Sequence, residues 1–346
     1  KNWKKNKMKK AAVIGNPIKH SKSPLIHNYW LKKYKIEGSY EAIKAEDNKD
    51  FENVIDKLVE QGYSGFNVTV PFKEKAYELL NDVADYRIDN KIVRDLYEPL
   101  FYPNRVCLKA MNTIKIKRNV DGSPFFLGIN TDYFGFACSL WLQIGLGEID
   151  NYLDFDRYSN IRNIVILGAG GSARTIANGL ILNRFIDFGL SNLIILNRDE
   201  GRAKVLCADL NNIVRKKDKE HISIMHGSIN DFNKMIKDCD LLINCTTIGM
   251  LGGAETPEFD LENAKSSMIF YDLVYNPLKT PLIEKVKETG RKAIGGLGML
   301  INQAAPAFRI FYQYAEKDYK NKNNIPINVH EMTNDQELWK LLKEDI

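Results

Sequence analysis

Short apolar runs recur along the first half of the chain and alternate with segments of helical spacing. Period-two and continuous apolar runs predict strands, and apolar residues three and four apart predict helices. The predicted strands are Ala11–Gly15, Tyr40–Ile43, Gly65–Val70, Ala110–Lys117 and Pro124–Asn130. The predicted helices are Pro24–Lys33, Phe51–Gln61, Glu74–Leu80 and Tyr133–Gly145. The sequence NVDGS, residues 119–123, predicts a hairpin turn between the last two strands.

The second half repeats the alternation after a polar, irregular segment at 147–160, which is interpreted as a linker. Its predicted strands are Asn163–Leu167, Leu193–Leu196, His221–Met225, Leu241–Asn244 and Met268–Asp272. Its predicted helices are Ser172–Arg184, Gly201–Asn212 and Leu282–Thr289. Repeated strand–helix units with short apolar strands indicate parallel sheets covered on both faces. The fold class is therefore α/β, with two α/β domains flanking a cleft.

Composition narrows the possible functions. The 346 residues are 44% hydrophobic and 27% charged, with a net charge of +5, and no apolar run is long enough to span a membrane. No basic helix or aromatic-plus-basic face indicates nucleic-acid binding. The five cysteines show no CxxC and the five histidines no ligand spacing, so no metal site is predicted. Scattered cysteines suit a reducing, cytoplasmic location.

A glycine-rich sequence, GAGGSA at residues 168–173, follows an apolar strand and opens a predicted helix. In a dinucleotide site Gly168 permits the tight turn and Gly170 allows the backbone to approach a pyrophosphate. The small Ala173 lets the helix pack on the strand, and the free N–H groups of the helix start face the phosphates. A bare turn without ligand is the alternative, but the strand–helix context favours a dinucleotide.

The end of the next strand bears on the choice of cofactor. An acid there usually holds the ribose 2′-hydroxyl of NAD, whereas an arginine accommodates the 2′-phosphate of NADP. This chain has Asn197, Arg198 and Asp199, which favours NADP. Asp199 either opposes a 2′-phosphate, leaving NAD possible, or caps the following helix.

Polar side chains cluster at strand ends and in loops of the first half. They lie in the sequences GNPIKHSKSP, NVTVPFK, AMNTI and GINTDYFGF. Hydroxyl and amide groups can bind a polyol or a carbonyl oxygen by hydrogen bonds. Each can equally serve in a cap or a turn, so no single cluster decides the function.

Taken together, these sequences and the glycine loop resemble the shikimate dehydrogenase family, which includes quinate/shikimate dehydrogenases. Further matching sequences are NCTTIGM, DLVYNPLKTPL and GGLGMLINQAAPAF, in the family's order, and the resemblance covers about residues 11–315. It implies an N-terminal substrate-binding domain at 11–133, completed by a helix at about 300–319. It also implies a Rossmann-type NADP-binding domain at 134–299. Residues 320–346 form a C-terminal extension of unknown role.

The resemblance also implies roles for individual residues. Lys73 and Asp132 would be the catalytic pair at the reacting C–O bond. The residues implied to bind substrate are Ser21, Ser23, Asn67, Thr69, Asn112, Tyr275 and Gln303. The residues implied to bind the cofactor are Gly168, Ala169, Gly170, Gly171, Ser172, Ala173, Asn197, Arg198, Asp199, Thr246, Met250, Gly296 and Met299. Whether Lys73 accepts the proton or only stabilises the oxygen is left open.

The activity implied is reversible NADPH-dependent reduction of 3-dehydroshikimate to shikimate in aromatic amino acid biosynthesis, by a monomer or homodimer. The alternative is a quinate/shikimate dehydrogenase that uses NAD on a related cyclic polyol acid. Asp199 and the long segment Arg87–Lys109 are departures from the family that favour the alternative. A non-catalytic metabolite sensor is disfavoured because both Lys73 and Asp132 are present.

Overall fold

The computed structural model describes residues 8–83, 109–144, 161–182, 190–216, 219, 221–254, 257–312 and 329–346. The predicted linker at 147–160 lies outside these residues, as does the segment Arg87–Lys109 except for Lys109 itself. The chain forms two compact units. The first is built from Lys1–Ala84, Ala110–Thr131 and Ile301–Asp345, and the second contains Asp85–Lys109 and Asp132–Leu300.

The first unit contains a six-stranded sheet in the order β2-β1-β3-β5-β6-β4. Its strands are β1 (Lys9–Gly15), β2 (Gly38–Lys44), β3 (Gly65–Val68), β4 (Asp82–Val83), β5 (Thr113–Arg118) and β6 (Pro124–Ile129). Its helices are α1 (Ser23–Lys33), α2 (Asn48–Glu60), α3 (Lys73–Glu78), α10 (Val329–Thr333) and α11 (Gln336–Asp345). Strand β5 runs antiparallel to both β3 and β6, so this sheet is mixed rather than wholly parallel.

The second unit contains a six-stranded parallel sheet in the order β12-β11-β10-β7-β8-β9. Its strands are β7 (Asn163–Leu167), β8 (Asn192–Asn197), β9 (Ser223–Ser228), β10 (Leu241–Asn244), β11 (Ile269–Asp272) and β12 (Lys292–Ile294). Its helices are α4 (Asp132–Gln143), α5 (Gly171–Leu182), α6 (Glu200–Lys216), α7 (Phe232–Met235) and α8 (Pro281–Glu288). A further helix, α9 (Leu297–Tyr312), begins in this unit and ends in the first.

Apolar patterning accounts for these elements. Every residue of β10 is buried, as expected for a strand inside a parallel sheet covered on both faces. Helix α2 buries Phe51, Val54, Ile55 and Leu58, which share one helical face, and Asp47 caps its start by accepting from the Asp50 amide.

Two strands of the first unit are predicted too long by two or more residues. The strand predicted at Gly65–Val70 ends at Val68, shortly before Pro71, which has no N–H for the ladder. The strand predicted to begin at Ala110 begins at Thr113, because the backbone of Met111 instead donates to the Lys73 carbonyl. Both differences place polar loop residues next to the sheet.

No helix among the described residues is long and apolar enough to cross a membrane.

Candidate active site

Two loops of the first unit meet at the carboxyl ends of β1 and β3. These strands are parallel neighbours, and the Thr69 amide donates to the Ile14 carbonyl at 3.0 Å. The Asn16 amide donates to the Val70 carbonyl at 2.9 Å. A Cβ on Gly15 would lie 2.3 Å from Thr69 Cγ2, so only glycine permits this approach. The loop that carries Ser21 and leads to Ser23 at the start of α1 therefore begins beside the loop that carries Thr69 and leads to Lys73 at the start of α3.

Ser21 and Ser23 flank the residue that precedes α1. The Ser21 amide donates to the Ile18 carbonyl at 3.0 Å, and Ser21 Oγ accepts from the Ser23 amide at 3.4 Å. Among the described residues, no side chain caps the start of α1. Two hydroxyls beside an eleven-residue helix N-terminus favour an anionic group such as a carboxylate.

Asn67 lies inside the protein with its hydrogen-bonding groups in use. Its Nδ2 donates to the Asn112 carbonyl at 3.0 Å and to Thr113 Oγ1 at 2.9 Å. Its Oδ1 accepts from the Tyr40 hydroxyl at 2.6 Å. Both amide hydrogens are therefore committed within the protein, and Asn67 can offer a substrate only the second lone pair of Oδ1.

Asn112 connects Asn67 to the helix that carries Gln303. Asn112 Nδ2 donates to Thr131 Oγ1 at 2.8 Å and to Gln303 Oε1 at 3.4 Å, and its Oδ1 accepts from the Thr131 amide at 2.9 Å. Thr131 Oγ1 also donates to Gln303 Oε1 at 3.3 Å. Asn67, Asn112 and Gln303, which lie far apart in sequence and were all predicted to bind substrate, thus belong to one hydrogen-bonded network.

Lys73 is the first residue of α3 and is buried, with 9% of its surface exposed. Its carbonyl accepts from the Met111 amide at 2.8 Å, which ties the start of α3 to the loop before β5. Phe72, just before it, stacks on Phe51 of α2 with ring centroids 4.8 Å apart. The lysine backbone is thereby fixed from two sides.

Asp132 is the first residue of α4 in the second unit and is also buried. It directly follows Thr131, whose backbone and side chain belong to the network described above. The next residue, Tyr133, packs against α5 so closely that a Cβ on Gly179 would lie 2.1 Å from its ring. The position of Asp132 is therefore set by its neighbours on both sides.

The glycine loop has the geometry that a pyrophosphate requires. Gly168 adopts a φ of +107°, which disfavours other residues, and its amide donates to the Leu196 carbonyl at 2.7 Å. A Cβ on Gly170 would meet no atom of the described part of the chain within 4 Å, so its backbone is open to a ligand on that side. Helix α5 begins at the next residue, and Ala173 is fully buried. These features fit a dinucleotide at the helix start.

At the end of β8, Asp199 caps α6. Asp199 Oδ1 accepts from the Arg202 amide at 3.3 Å, and the Asp199 carbonyl accepts from Asn197 Nδ2 at 2.8 Å. Arg198 is exposed at this strand end. The sequence allowed Asp199 either to oppose a 2′-phosphate or to cap the following helix, and in the structure it caps the helix.

A buried network holds the loops predicted to line the nicotinamide. Asp272 Oδ1 accepts from Asn244 Nδ2 at 2.9 Å and from the Val274 amide at 3.0 Å, and its Oδ2 accepts from Thr280 Oγ1 at 2.7 Å. Burial raises the pKa of Asp272 to about 6 despite these bonds. Thr246 Oγ1 donates to Asn244 Oδ1 at 2.6 Å, so the network reaches the loop after β10.

The remaining nicotinamide-side residues lie on loops joined by backbone hydrogen bonds. Met250 lies on the loop after β10. The amide of the next residue, Leu251, donates to the carbonyl of Asn276 at 3.2 Å, and Asn276 directly follows Tyr275. The Gly296 amide donates to the Val274 carbonyl at 3.0 Å, and a Cβ there would lie 2.1 Å from a backbone oxygen. Met299 is buried in the first turn of α9. Gly296 is thus required for close packing of two loops.

Comparison with known proteins identifies the family. Residues 13–87 match the model of the shikimate dehydrogenase substrate binding domain. The chain is 32% identical over 310 residues to shikimate dehydrogenase (NADP(+)) of Brucella canis, covering 88% of this chain and 89% of the relative. It is 31% identical over 307 residues to the enzyme of the same name from Methanococcus aeolicus, covering 88% and 92%. The chain belongs to the shikimate dehydrogenase family. A crystal structure of a shikimate dehydrogenase in complex with NADP+ superposes with a TM-score of 0.66 and 29% identity, covering 97% of this chain and 96% of that one.

In this member of the shikimate dehydrogenase family, sequence reasoning missed three hydroxyl groups of the network. They belong to Tyr40, Thr113 and Thr131, all buried. The two threonines had a detectable signal, because each follows an asparagine in an Asn-Thr pair within AMNTI and GINTD. Tyr40 had none, because its partner Asn67 lies on a different strand.

Proposed function

We propose that this chain is a shikimate dehydrogenase that reversibly reduces 3-dehydroshikimate to shikimate with NADPH, within aromatic amino acid biosynthesis. The observation that carries the proposal is the buried polar network of the first unit in a chain that also holds a dinucleotide-type glycine loop. Membership of the family supports it, because relatives over 30% identical across most of the chain are named shikimate dehydrogenase (NADP(+)).

Substrate binding is assigned to the first unit and cofactor binding to the second. Ser21 and Ser23 receive the substrate carboxylate at the start of α1. Thr69, Asn112 and Gln303 receive the ring hydroxyls, and Asn67 chiefly holds Asn112 in place. The hydroxyl and amide groups of this unit match a small ring that carries several uncharged hydroxyls and one carboxylate.

Lys73 and Asp132 handle the proton. NADPH, when bound, supplies the hydride that reaches the carbonyl carbon of 3-dehydroshikimate. The Lys73 ammonium donates a proton to the oxygen as the C–O double bond becomes single, and Asp132 is the second polar residue assigned to this proton transfer. In the reverse direction Lys73 accepts the hydroxyl proton. General acid–base help of this kind contributes ~100- to 10,000-fold.

NADP is the proposed cofactor. Gly168 and Gly170 fit a pyrophosphate, and Arg198 at the end of β8 suits the 2′-phosphate. The Asp199 carboxylate accepts from the amide of Arg202, which is the helix-capping role that the sequence allowed for it.

The test is a matrix of steady-state rates. Shikimate and quinate are each oxidised with NADP and with NAD, and kcat/KM is compared across the four pairs. We expect shikimate with NADP to have the highest value. A highest value for quinate with NAD would reject the proposal in favour of the quinate alternative, and no rate with any pair would reject catalysis of this class altogether.

A further inference from the structure

The C-terminal helix α11 runs antiparallel along α1, with an ion pair at each end. Lys22, just before α1, pairs with Asp345 at the end of α11 at 2.8 Å. Lys33, at the end of α1, pairs with Asp335, just before α11, at 2.6 Å. Helix α1 has 11 residues and α11 has 10, so at a rise of ~1.5 Å per residue the two helices are nearly equal in length. Both pairs can therefore form together.

Helix α11 is anchored on the first unit by more than charge. Leu338 and Leu342 are fully buried. Asp335 Oδ1 accepts from the Leu338 amide and from the Tyr29 hydroxyl, and Tyr29 also donates to Glu337 at 2.9 Å. Burial opposes ionisation of Asp335, yet hydrogen bonds from Lys33, Leu338 and Tyr29 hold its pKa below the ordinary value. Because the start of α11 is held at Asp335, the position of its last residue, Asp345, is also determined.

At that far end, Lys22 is held by two hydrogen bonds. Its Nζ donates to the Asp345 carbonyl at 2.7 Å and to Asp345 Oδ2 at 2.8 Å. The lysine side chain is 14% exposed, although it lies at the surface. Lys22 is the residue between Ser21 and Ser23, and it is the residue that precedes the first turn of α1. The side chain that lies between the two serines in sequence is therefore held by a residue of the C-terminal extension.

We propose that Asp345 is a positioning residue for substrate binding: by holding Lys22, it sets the spacing and direction of the Ser21 and Ser23 hydroxyls. The inference rests on the proposed function, in which these hydroxyls bind the substrate carboxylate. It gives the C-terminal extension a role in affinity for the acid substrate while leaving the cofactor site and the chemical step untouched.

The test compares two charge-removing variants one residue apart. Asp345→Asn weakens the pair with Lys22, whereas the control Glu344→Gln weakens an exposed contact of 3.9 Å with Lys340 inside α11. Exposed ion pairs correspond to about 1.4- to 5-fold in an equilibrium constant. We expect Asp345→Asn to raise KM for 3-dehydroshikimate by roughly 2- to 5-fold, with kcat and the KM for NADPH unchanged. Glu344→Gln should leave all three constants unchanged.

A double-mutant cycle supplies a second measurement. Lys22→Met should raise the same KM, and adding Asp345→Asn to Lys22→Met should change it no further, because the two residues act as one unit. Additive effects would overturn the proposal.

Other outcomes separate this proposal from the function beneath it. A wild-type protein with shikimate dehydrogenase activity, but with an unchanged or lower KM in Asp345→Asn, refutes the positioning role alone. A loss of thermal stability in Asp345→Asn without a KM change also refutes it, since that is what a purely structural contact gives. A wild-type protein inactive on 3-dehydroshikimate refutes both proposals.

Discussion

Removing one hydroxyl group, in Tyr40→Phe, tests whether the buried network around Asn67 is held together as described. The Tyr40 hydroxyl donates to Asn67 Oδ1 at 2.6 Å, and both side chains are buried. Burial raises the pKa of Tyr40 well above its usual value, so the hydroxyl remains a donor at any working pH. Phenylalanine keeps the ring, which stacks on His27 with centroids 3.9 Å apart. The variant therefore isolates the hydrogen bond from the packing.

The expected cost follows from the burial of the acceptor. Without the hydroxyl, Asn67 Oδ1 loses its donor in a place that water does not readily reach. An unsatisfied buried acceptor costs ~1–3 kcal/mol. For units of this size each kcal/mol lowers Tm by about 2–4 °C. Because Asn67 in turn holds Asn112, we also expect KM for 3-dehydroshikimate to rise while the KM for NADPH stays constant.

The assay is urea unfolding and calorimetry, with Tyr63→Phe as the matched control. Tyr63 also donates its hydroxyl to a side chain, but that partner, Glu41, is exposed and can turn to water. The control should therefore lose less than ~1 kcal/mol. If Tyr40→Phe costs no more than Tyr63→Phe, the network does not depend on Tyr40 and the reasoning fails.

Three further changes have defined outcomes. Lys73→Ala should lower kcat by ~100- to 10,000-fold with little change in KM; a rise in KM alone would contradict the acid–base role. Gly179→Ala should destabilise by ~1–3 kcal/mol in urea unfolding, because the new methyl overlaps the Tyr133 ring; a stabilised variant would contradict this packing. Burial lowers the pKa of Lys115, which donates to the Ile310 carbonyl at 2.8 Å, to about 8, against 10.5 for the free side chain. Between pH 8 and 10.5, Lys115 is therefore protonated more in the unfolded chain than in the folded protein. The free energy of unfolding should increase as the pH rises from about 8 to 10.5, and Lys115→Met should remove that increase.

Local patterning was enough to predict most elements, because their cause is local. Strand β7 was predicted at the bounds observed, Asn163–Leu167, since a run of apolar residues before glycines has no other stable place than a buried strand. Helix α7 and strand β12 were not predicted, because three or four residues are too few to show a period.

The strand predictions were wrong where contacts between residues distant in sequence, rather than apolar character, decide whether a residue joins a strand. Val70 continues the alternation of β3, yet it is 46% exposed and lies beyond the ladder, because the backbone turns at Pro71. The mixed order of the first sheet was likewise beyond local reasoning. A hairpin fixes the antiparallel pairing of β5 with β6, but nothing local to β5 states that its other neighbour is β3.

The same distinction applies to the candidate site. Residues proposed to meet a ligand by their own chemistry can be named from the sequence: Gly168 from its glycine-loop spacing, and Lys73 from the family resemblance. Residues that act by holding others, such as Tyr40 on Asn67 and Asp345 on Lys22, have effects that exist only through space. Asp345 is 323 residues from Lys22 in sequence. A substitution at such a position should alter affinity without altering any group that touches the substrate, so kinetic constants measured separately for substrate and cofactor can reveal these residues where sequence does not.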